Sequence, residues 1–409
     1  MLVRVVLLLL VTSALSAQDA PPVPPEVGKP LPAWSRGTLD IHQISTGRGN
    51  SAFLRLPDGT TMLVDAGADA GRTEAAEPRP DATRTPGGWI VRYIERAMAP
   101  GAPRLDYALI THFHPDHMGQ VAPSSADSKS GAFKLTGIAE VGERIPIGTL
   151  IDRGTTYLPP PDDAMWKNYR AFVAEQQAHG LKNEPLRVGR ADQIVLLHDR
   201  AAFPAFEVRN VSGNGVVWTG TGEATQTIFP PLDTLAREDK PTENMCSIGI
   251  RIRYGKFDYW TGGDIPGIPD AGSPEWQSVE TPIAKAIGPT DVHVVNHHGS
   301  ISPESPLFLS TLRSQVMILP AWLPTHPSQD VLKRMLTMRL YPGPHDVFVT
   351  SLREPTRLSI GFRSDQLKAQ HGHIVVRVPP GGATFRVFVL DDMSDEAKVV
   401  GVFGPYTAQ

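Results

Sequence analysis

From Leu39 onward apolar and polar residues alternate with a period of two, the spacing of half-buried strands. Asp40–Ile44 carries the pattern first. Ser51–Leu56 and Thr61–Val64 then flank Pro57-Asp58-Gly59, whose residues suit a tight turn, so this stretch predicts a hairpin. Its second strand ends in Asp65-Ala66-Gly67. The spacing becomes helical over Trp89–Met98, and Leu105–Thr111 predicts a strand running directly into His112. A similar order returns downstream. Cys246–Tyr254, a turn at Gly255-Lys256 and Phe257–Thr261 form a second hairpin ending in Gly262-Gly263-Asp264. A helix over Val279–Ile287, a strand over Asp291–Val295 and His297-His298-Gly299-Ser300 follow. Two halves in the order hairpin, acidic strand end, helix, strand, histidine suggest a weak internal repeat whose strand ends converge on one site.

Between the halves the pattern is less regular. Strands are expected near Ile147–Ile151, Gln193–Leu197 and Phe206–Val211, and Asp162–His179 reads as a helix in a lid or an outer layer. Ile374–Val378, a Pro-Pro-Gly-Gly turn and Thr384–Leu390 predict a last hairpin, with 392–409 left as a tail. At the other end, Arg4, the apolar run Val5–Val11 and the small residues Ala14, Ser16 and Ala17 have the form of an export signal over 1–17. Six prolines within Asp19–Pro32 predict an extended tether, giving a linker over 18–37 and a main domain over 38–391. The run Val5–Val11 is too short to cross a bilayer, and no other segment reaches about 18 uninterrupted apolar residues. The expectation is a mature chain without a membrane span, periplasmic or secreted.

Composition narrows the classes further. A chain of 409 residues that is 41% hydrophobic can bury a sizeable core as one large αβ unit, which excludes wholesale disorder. The formal net charge of −4 advertises no polyanion-binding surface, so charge gives no indication of nucleic-acid binding. The single cysteine, Cys246, cannot form an internal disulfide and lies outside the cleavage region, against a lipid anchor. No protein partner is indicated.

The chemistry concentrates in Thr111-His112-Phe113-His114-Pro115-Asp116-His117-Met118-Gly119. His112 and His114, two apart on extended backbone, share a face. Pro115 biases His114 toward extended backbone and suits the first turn of a helix. Asp116 and His117 then project back toward the same point. Imidazole nitrogens and carboxylate oxygens are suitable ligands for zinc, with manganese or iron as alternatives. A histidine-rich surface turn is the bland alternative.

This motif resembles the signature of the metallo-β-lactamase superfamily, and the resemblance extends from about Leu39 to Met338. It implies a four-layer αββα sandwich of mixed α/β (α+β) class and a metal-dependent hydrolase binding one or two Zn²⁺ ions. In that resemblance Asp65 matches an early Asp-x-Gly element that supports the site by hydrogen bonding, and Asp264 matches the bridging aspartate. His297-His298-Gly-Ser matches the last histidine motif; the histidine-glycine pattern favours His298 as ligand, whereas the internal repeat aligns His297 with His112. The pattern is most similar to the hydrolase domain of ComEC-type DNA-uptake proteins and their stand-alone relatives. The features are a Gly-Asn-Ser strand before Pro-Asp-Gly, Asn244 before the second hairpin, His-His-Gly-Ser, and Thr325-His326-Pro327 before a helix. That branch implies a metal-bound hydroxide attacking phosphodiester-type substrates, with Asp116 and His326 as catalytic residues and Asn244 near the substrate.

One departure stands out. Two-metal members often carry another histidine between the first motif and the bridging aspartate, where this chain offers only His179 and His198, both in contexts that favour the surface. Asp152, at the end of a strand, is the candidate substitute. The competing readings are a lactam or lactone hydrolase using the same metals, and a metal-binding module without turnover.

Overall fold

The computed structural model describes residues 26–409, so the expected export segment and the first part of the tether lie outside the described residues. Six strands come first: β1 (Leu39–Gln43), β2 (Ala52–Arg55), β3 (Thr61–Val64), β4 (Leu105–Leu109), β5 (Ile147–Asp152) and β6 (Lys182–Pro185). Eight more follow: β7 (Phe206–Gly213), β8 (Val216–Trp218), β9 (Thr225–Thr227), β10 (Gly249–Tyr254), β11 (Phe257–Thr261), β12 (Val292–Val294), β13 (Val316–Leu319) and β14 (Asp346–Val349). The chain then returns to the first sheet with β15 (His373–Val378), β16 (Thr384–Leu390) and β17 (Val399–Thr407). The first sheet has the order β17-β16-β15-β1-β2-β3-β4-β5-β6, and the second β14-β13-β12-β11-β10-β7-β8-β9.

Alternation along each strand builds the layers, because successive side chains face opposite sides of a sheet. Leu54, Met62, Val64 and Leu109 of the first sheet pack against Ile250, Ile252, Tyr259 and Val292 of the second in one shared core. Phe53, Leu63, Ala108 and Leu150 face the other way, against α1 (Pro86–Met98), α3 (Gly137–Arg144) and α4 (Ala164–Ala178). On the outer face of the second sheet, Trp260 packs with Ile283 and Phe308, from α5 (Glu280–Ile287) and α6 (Pro306–Leu312). Met317 and Leu319 pack there with α7 (Gln329–Leu336). Helix, sheet, sheet, helix: the expected four layers are present.

The two-halves reading also has a counterpart in the topology. Hairpin β2–β3 is followed through α1 by β4, parallel to β3 with Met62 opposite Tyr107. Hairpin β10–β11 is followed through α5 by β12, parallel to β11 with Tyr259 opposite Val292. Helix α1 starts three residues before the predicted Trp89 because the Thr85 hydroxyl accepts from Gly88 N and Pro86 takes the first turn. Helix α4 belongs to the outer layer, burying Tyr169, Phe172 and Val173.

Three expectations are corrected. Gln193–Leu197 is not a strand: Val195 N donates to the Tyr107 hydroxyl and Leu197 N to Thr60 Oγ1, so side chains satisfy the groups that a ladder would have used. The region 392–409 is not a tail, since β17 pairs with β16 along the edge of the first sheet. Its two glycines and Pro405 hide the strand pattern, and an edge strand tolerates them. The described end of the 18–37 linker is docked: Gly28 N donates to Val399 O, and Val399 N to Lys29 O.

The contact between β16 and the opposing sheet yields a test. Phe385 is fully buried, edge-on to Phe257 with ring centroids 5.2 Å apart and stacked on Tyr406 at 4.9 Å. Phe385→Ala is expected to destabilise the fold by about 3–5 kcal/mol in urea denaturation.

Candidate metal centre

The centre forms where strand ends from the two sheets meet. β3 leads into Asp65, which is fully buried and takes the left-handed backbone (φ +60). One of its oxygens accepts from Thr111 N (2.8 Å); the other accepts from Thr111 Oγ1 (2.9 Å), Asn50 Nδ2 (2.9 Å) and His117 Nδ1 (2.7 Å). This carboxylate therefore ties β3 to the segment after β4. It also keeps a proton on His117 Nδ1, so Nε2, which points inward, is the nitrogen available to a cation. Two residues on, Gly67 is required by space: a Cβ there would lie 2.2 Å from Asp116 O.

The histidine segment folds as its sequence indicates. His114 is extended (φ −101, ψ 157) and caps α2 (Pro115–Met118), a single turn with Pro115 at its start. That turn carries Asp116 and His117 back toward His112. Asp264 arrives from β11 through Gly262-Gly263; a Cβ on Gly263 would lie 2.7 Å from Thr111 Oγ1, so the close approach of the two halves needs glycine. The last loop brings His298, whose Nδ1 donates to Pro320 O (2.8 Å), which again leaves Nε2 facing inward.

Two donor sets result. Asp116, His117, Asp264 and His298 each offer an atom within 4.8 Å of all the others, and so do His112, His114 and Asp264. Asp264 is common to both. Within the first set, His117 Nε2 and His298 Nε2 are 3.2 Å apart, each with its proton committed on the far side of the ring. Asp264 Oδ1 lies 3.0 Å from His117 Nε2, and Asp116 Oδ2 3.0 Å from His298 Nε2. Lone pairs and carboxylates so arranged repel one another unless a positive charge sits among them. Burial disfavours charge on His117, but Asp264, Asp65 and Asp116 outweigh it and raise its pKa well above the ordinary value. Burial also opposes ionisation of Asp264, yet His117, His298 and His297 hold its pKa well below the usual range. Donors that attract a proton here are also the donors a divalent cation uses, and nitrogen-plus-carboxylate sets of this kind suit zinc or a similar metal. The residues fit such an ion.

Sequence patterns of known families agree. The Metallo-beta-lactamase superfamily pattern matches residues 44–126. The two large sheets flanked by helices are consistent with the metallo-β-lactamase sandwich fold. Among curated proteins none matches it in sequence. Unliganded yeast PDE1 is similar in structure, with a TM-score of 0.38 and 14% identity, over 83% of this chain and 99% of that one. The short form of human tRNase Z (ELAC1) gives 0.32 and 13%, over 70% and 92%. A metallo β-lactamase from Hirschia baltica gives 0.24 and 10%, over 63% and 86%.

The remaining candidates divide. Asn244, His297 and His326 line the open side of the centre, a cavity of about 450 Å³ shared with Arg72, Gln120, Trp322 and Leu323. His326 is 5% exposed and stacks on His298, centroids 4.9 Å apart and planes 12° from parallel. Burial and the neighbouring His298 lower its pKa well below the ordinary value, so it is a neutral donor at physiological pH. Asp152 is not brought to the centre. It accepts from Tyr169 Oη (2.7 Å), Gly154 N (2.8 Å) and Asn183 Nδ2 (3.2 Å) beside a separate cavity of about 790 Å³. His179 bonds Glu175 O within its own helix, and His198 faces Asp106. Sequence reasoning missed Arg72 and Trp322. Signals existed: Arg72 follows closely on Asp65-Ala-Gly, and Trp322 stands four residues before His326 in a proline-flanked segment.

Behind the last loop lies a buried brace. Glu280 accepts from Asn296 Nδ2 (3.0 Å), Glu304 N (2.8 Å) and Ser305 N (2.9 Å), while Glu304 accepts from Asn296 N (3.2 Å) and faces His293 Nε2 (3.1 Å). Burial, then the Glu304 charge, raise the Glu280 pKa above the usual carboxylate range. A carboxyl group raised on folding contributes stability at acidic pH and loses it as pH climbs through the folded value.

Two outcomes follow from this geometry. Asp65→Asn should weaken zinc affinity roughly 10–100-fold in a competition titration with a chromophoric chelator, because it misorients His117. The difference in urea-denaturation free energy between wild type and Glu280→Gln should shift against the wild type, on the order of 1–3 kcal/mol, between about pH 5 and pH 8.

Proposed function

We propose that this protein is an exported metal-dependent hydrolase acting on phosphodiester-type substrates. The observation that carries the hydrolase reading is the Asp264 carboxylate, one oxygen turned to His117 and His298 and the other to His112. A divalent cation held by these residues, zinc being the expected one, lowers the pKa of water and neutralises charge on a phosphoryl oxygen. The chain's own groups supply the rest. Asp65 and Pro320 O fix the tautomers of His117 and His298, so no reorganisation is required when ligand arrives. Neutral His326, held flat against His298, presents an N–H to a substrate or leaving-group oxygen, with Asn244 on the same wall and Arg72 at the rim. Trp322 and Leu323 shield one side from water.

A wall with the Asn244 amide and imidazoles, and with Arg72 at the rim beside Asp69 and Glu74, offers donors to an anionic oxygen, which supports a phosphodiester as substrate. The ComEC-like features of the sequence support the same class, and the pattern of Arg4, Val5–Val11 and Ala14–Ala17 supports export. The expected result is hydrolysis of bis-p-nitrophenyl phosphate by the mature protein with zinc or manganese, abolished in His114→Ala and Asp264→Ala. Turnover of nitrocefin with none of the phosphodiester would move the reading to lactams. Stoichiometric metal without turnover of either would make this a binding module.

A further inference from the structure

The two cation-binding sets are unequal. Asp116, His117, Asp264 and His298 give four protein donors, whereas His112, His114 and Asp264 give three, and among the described residues neither His179, His198 nor Asp152 reaches them. Asp264 shows where a fourth can come from. Its Oδ1 lies 3.0 Å from His117 Nε2 and 3.4 Å from His298 Nε2; its Oδ2 lies 3.7 Å from His112 Nε2 and 3.8 Å from His297 Nε2. Each oxygen thus faces its own pair of imidazoles.

The backbone produces this division. His297 (φ 47, ψ 41) and His298 (φ 53, ψ 19) both take the left-handed conformation, which disfavours a side chain by roughly 1–2 kcal/mol per residue. His297 N donates to Gly263 O (3.0 Å), the residue before Asp264, so the loop is pinned to the carboxylate it serves. On this backbone adjacent imidazoles both reach Asp264, one to each oxygen. His297 Nε2 is tied to Asn244 Nδ2 (3.0 Å); the amide donates, so the lone pair sits on Nε2, the nitrogen that His112, His117 and His298 also turn inward. That one bond leaves both Asn244 Oδ1 and His297 Nδ1 buried without a partner, so the contact only half-satisfies the two side chains it joins.

We propose that His297 is the fourth protein donor for the cation held by His112, His114 and Asp264, so that consecutive histidines serve two cation positions bridged by one carboxylate. The proposal deepens the metal-centre reading above and does not depend on the substrate class. Asn244 is then the residue that holds His297 when the cation is absent.

The test is metal stoichiometry and spectroscopy on the mature protein and His297→Asn, chosen because asparagine tolerates left-handed backbone but is too short to reach the cation. Elemental analysis after zinc loading should give two ions in the wild type. In His297→Asn one should stay tight and the other weaken roughly 10–100-fold. In cobalt-loaded protein, the visible absorption of only one of the two ions should change, while circular dichroism melting confirms folding. His297→Ala should behave in the same way. The proposal is overturned if His297→Asn binds two ions at wild-type affinity with an unchanged cobalt spectrum, in which case a raised KM alone would mark His297 as a substrate contact. A wild type that saturates at one ion overturns it too. Neither measurement requires turnover, so a failed phosphodiesterase assay leaves this test intact.

Discussion

Three buried carboxylates and a ring of imidazole lone pairs gathered at one edge of the sandwich set the terms for the whole structure. Asp65 and Asp264 are almost fully excluded from solvent and Asp116 nearly so, and burying charge of one sign is unfavourable unless it is paired. Hydrogen bonds settle Asp65, which is saturated by Thr111, Asn50 and His117. Asp116 and Asp264 are left facing the inward Nε2 atoms of His298 and His117. The balance is deferred to whatever positive charge enters, and one divalent cation can offset both carboxylates from a single position.

Bringing such groups together needs two sheets whose strand ends coincide and backbones that can approach closely. The shared core between the sheets fixes the first requirement: β3 and β4 on one side and β11 and β12 on the other are parallel pairs that present their carboxyl ends at the same edge. Glycine meets the second. Gly67 lets the loop after β3 lie against the Asp116 carbonyl, and Gly263 lets the loop after β11 lie against Thr111. The repeat of hairpin, helix, strand and histidine is therefore the means by which both halves deliver imidazoles and carboxylates to one point.

Much of this was legible in the sequence, and the gaps have physical causes. The segment from His112 to His117 was readable because its geometry is local: extended backbone, then a proline-started turn. The hairpins were readable because turn residues and alternation agree. Asp152 was misleading because a strand-end acid looks alike at neighbouring strands; β5 lies one strand beyond β4, and there the carboxylate is bound by Tyr169 and Asn183. Gln193–Leu197 has strand composition but finds its hydrogen bonds on side chains, and β17 conceals its pairing behind glycine and proline. Strands β13 and β14, four residues each and fully or largely buried, carry too little period to be singled out. Nor could periodicity have assigned His297 and His298, since neither helix nor strand describes two successive left-handed residues.

That left-handed pair also explains why so much polar structure is buried behind it. A loop of unfavourable φ values persists only where its surroundings over-determine it. Here Gly263 O fixes His297, Pro320 O fixes His298, and Ser328 N donates to Gly299 O. Glu280 and Glu304 clamp Asn296 from its side chain and its backbone, and Trp260 Nε1 donates to Asn296 Oδ1. Glu304 itself has φ +61, so strain recurs at the far end of the same loop and is held by Glu280 through Glu304 N and Ser305 N. A fully buried acid of raised pKa is a poor stabiliser at neutral pH, and hydrophobic packing would have served the core better. Its placement makes sense as geometry: it holds two arms of a strained loop in register, so that the imidazoles at its tip meet a carboxylate delivered by the other hairpin.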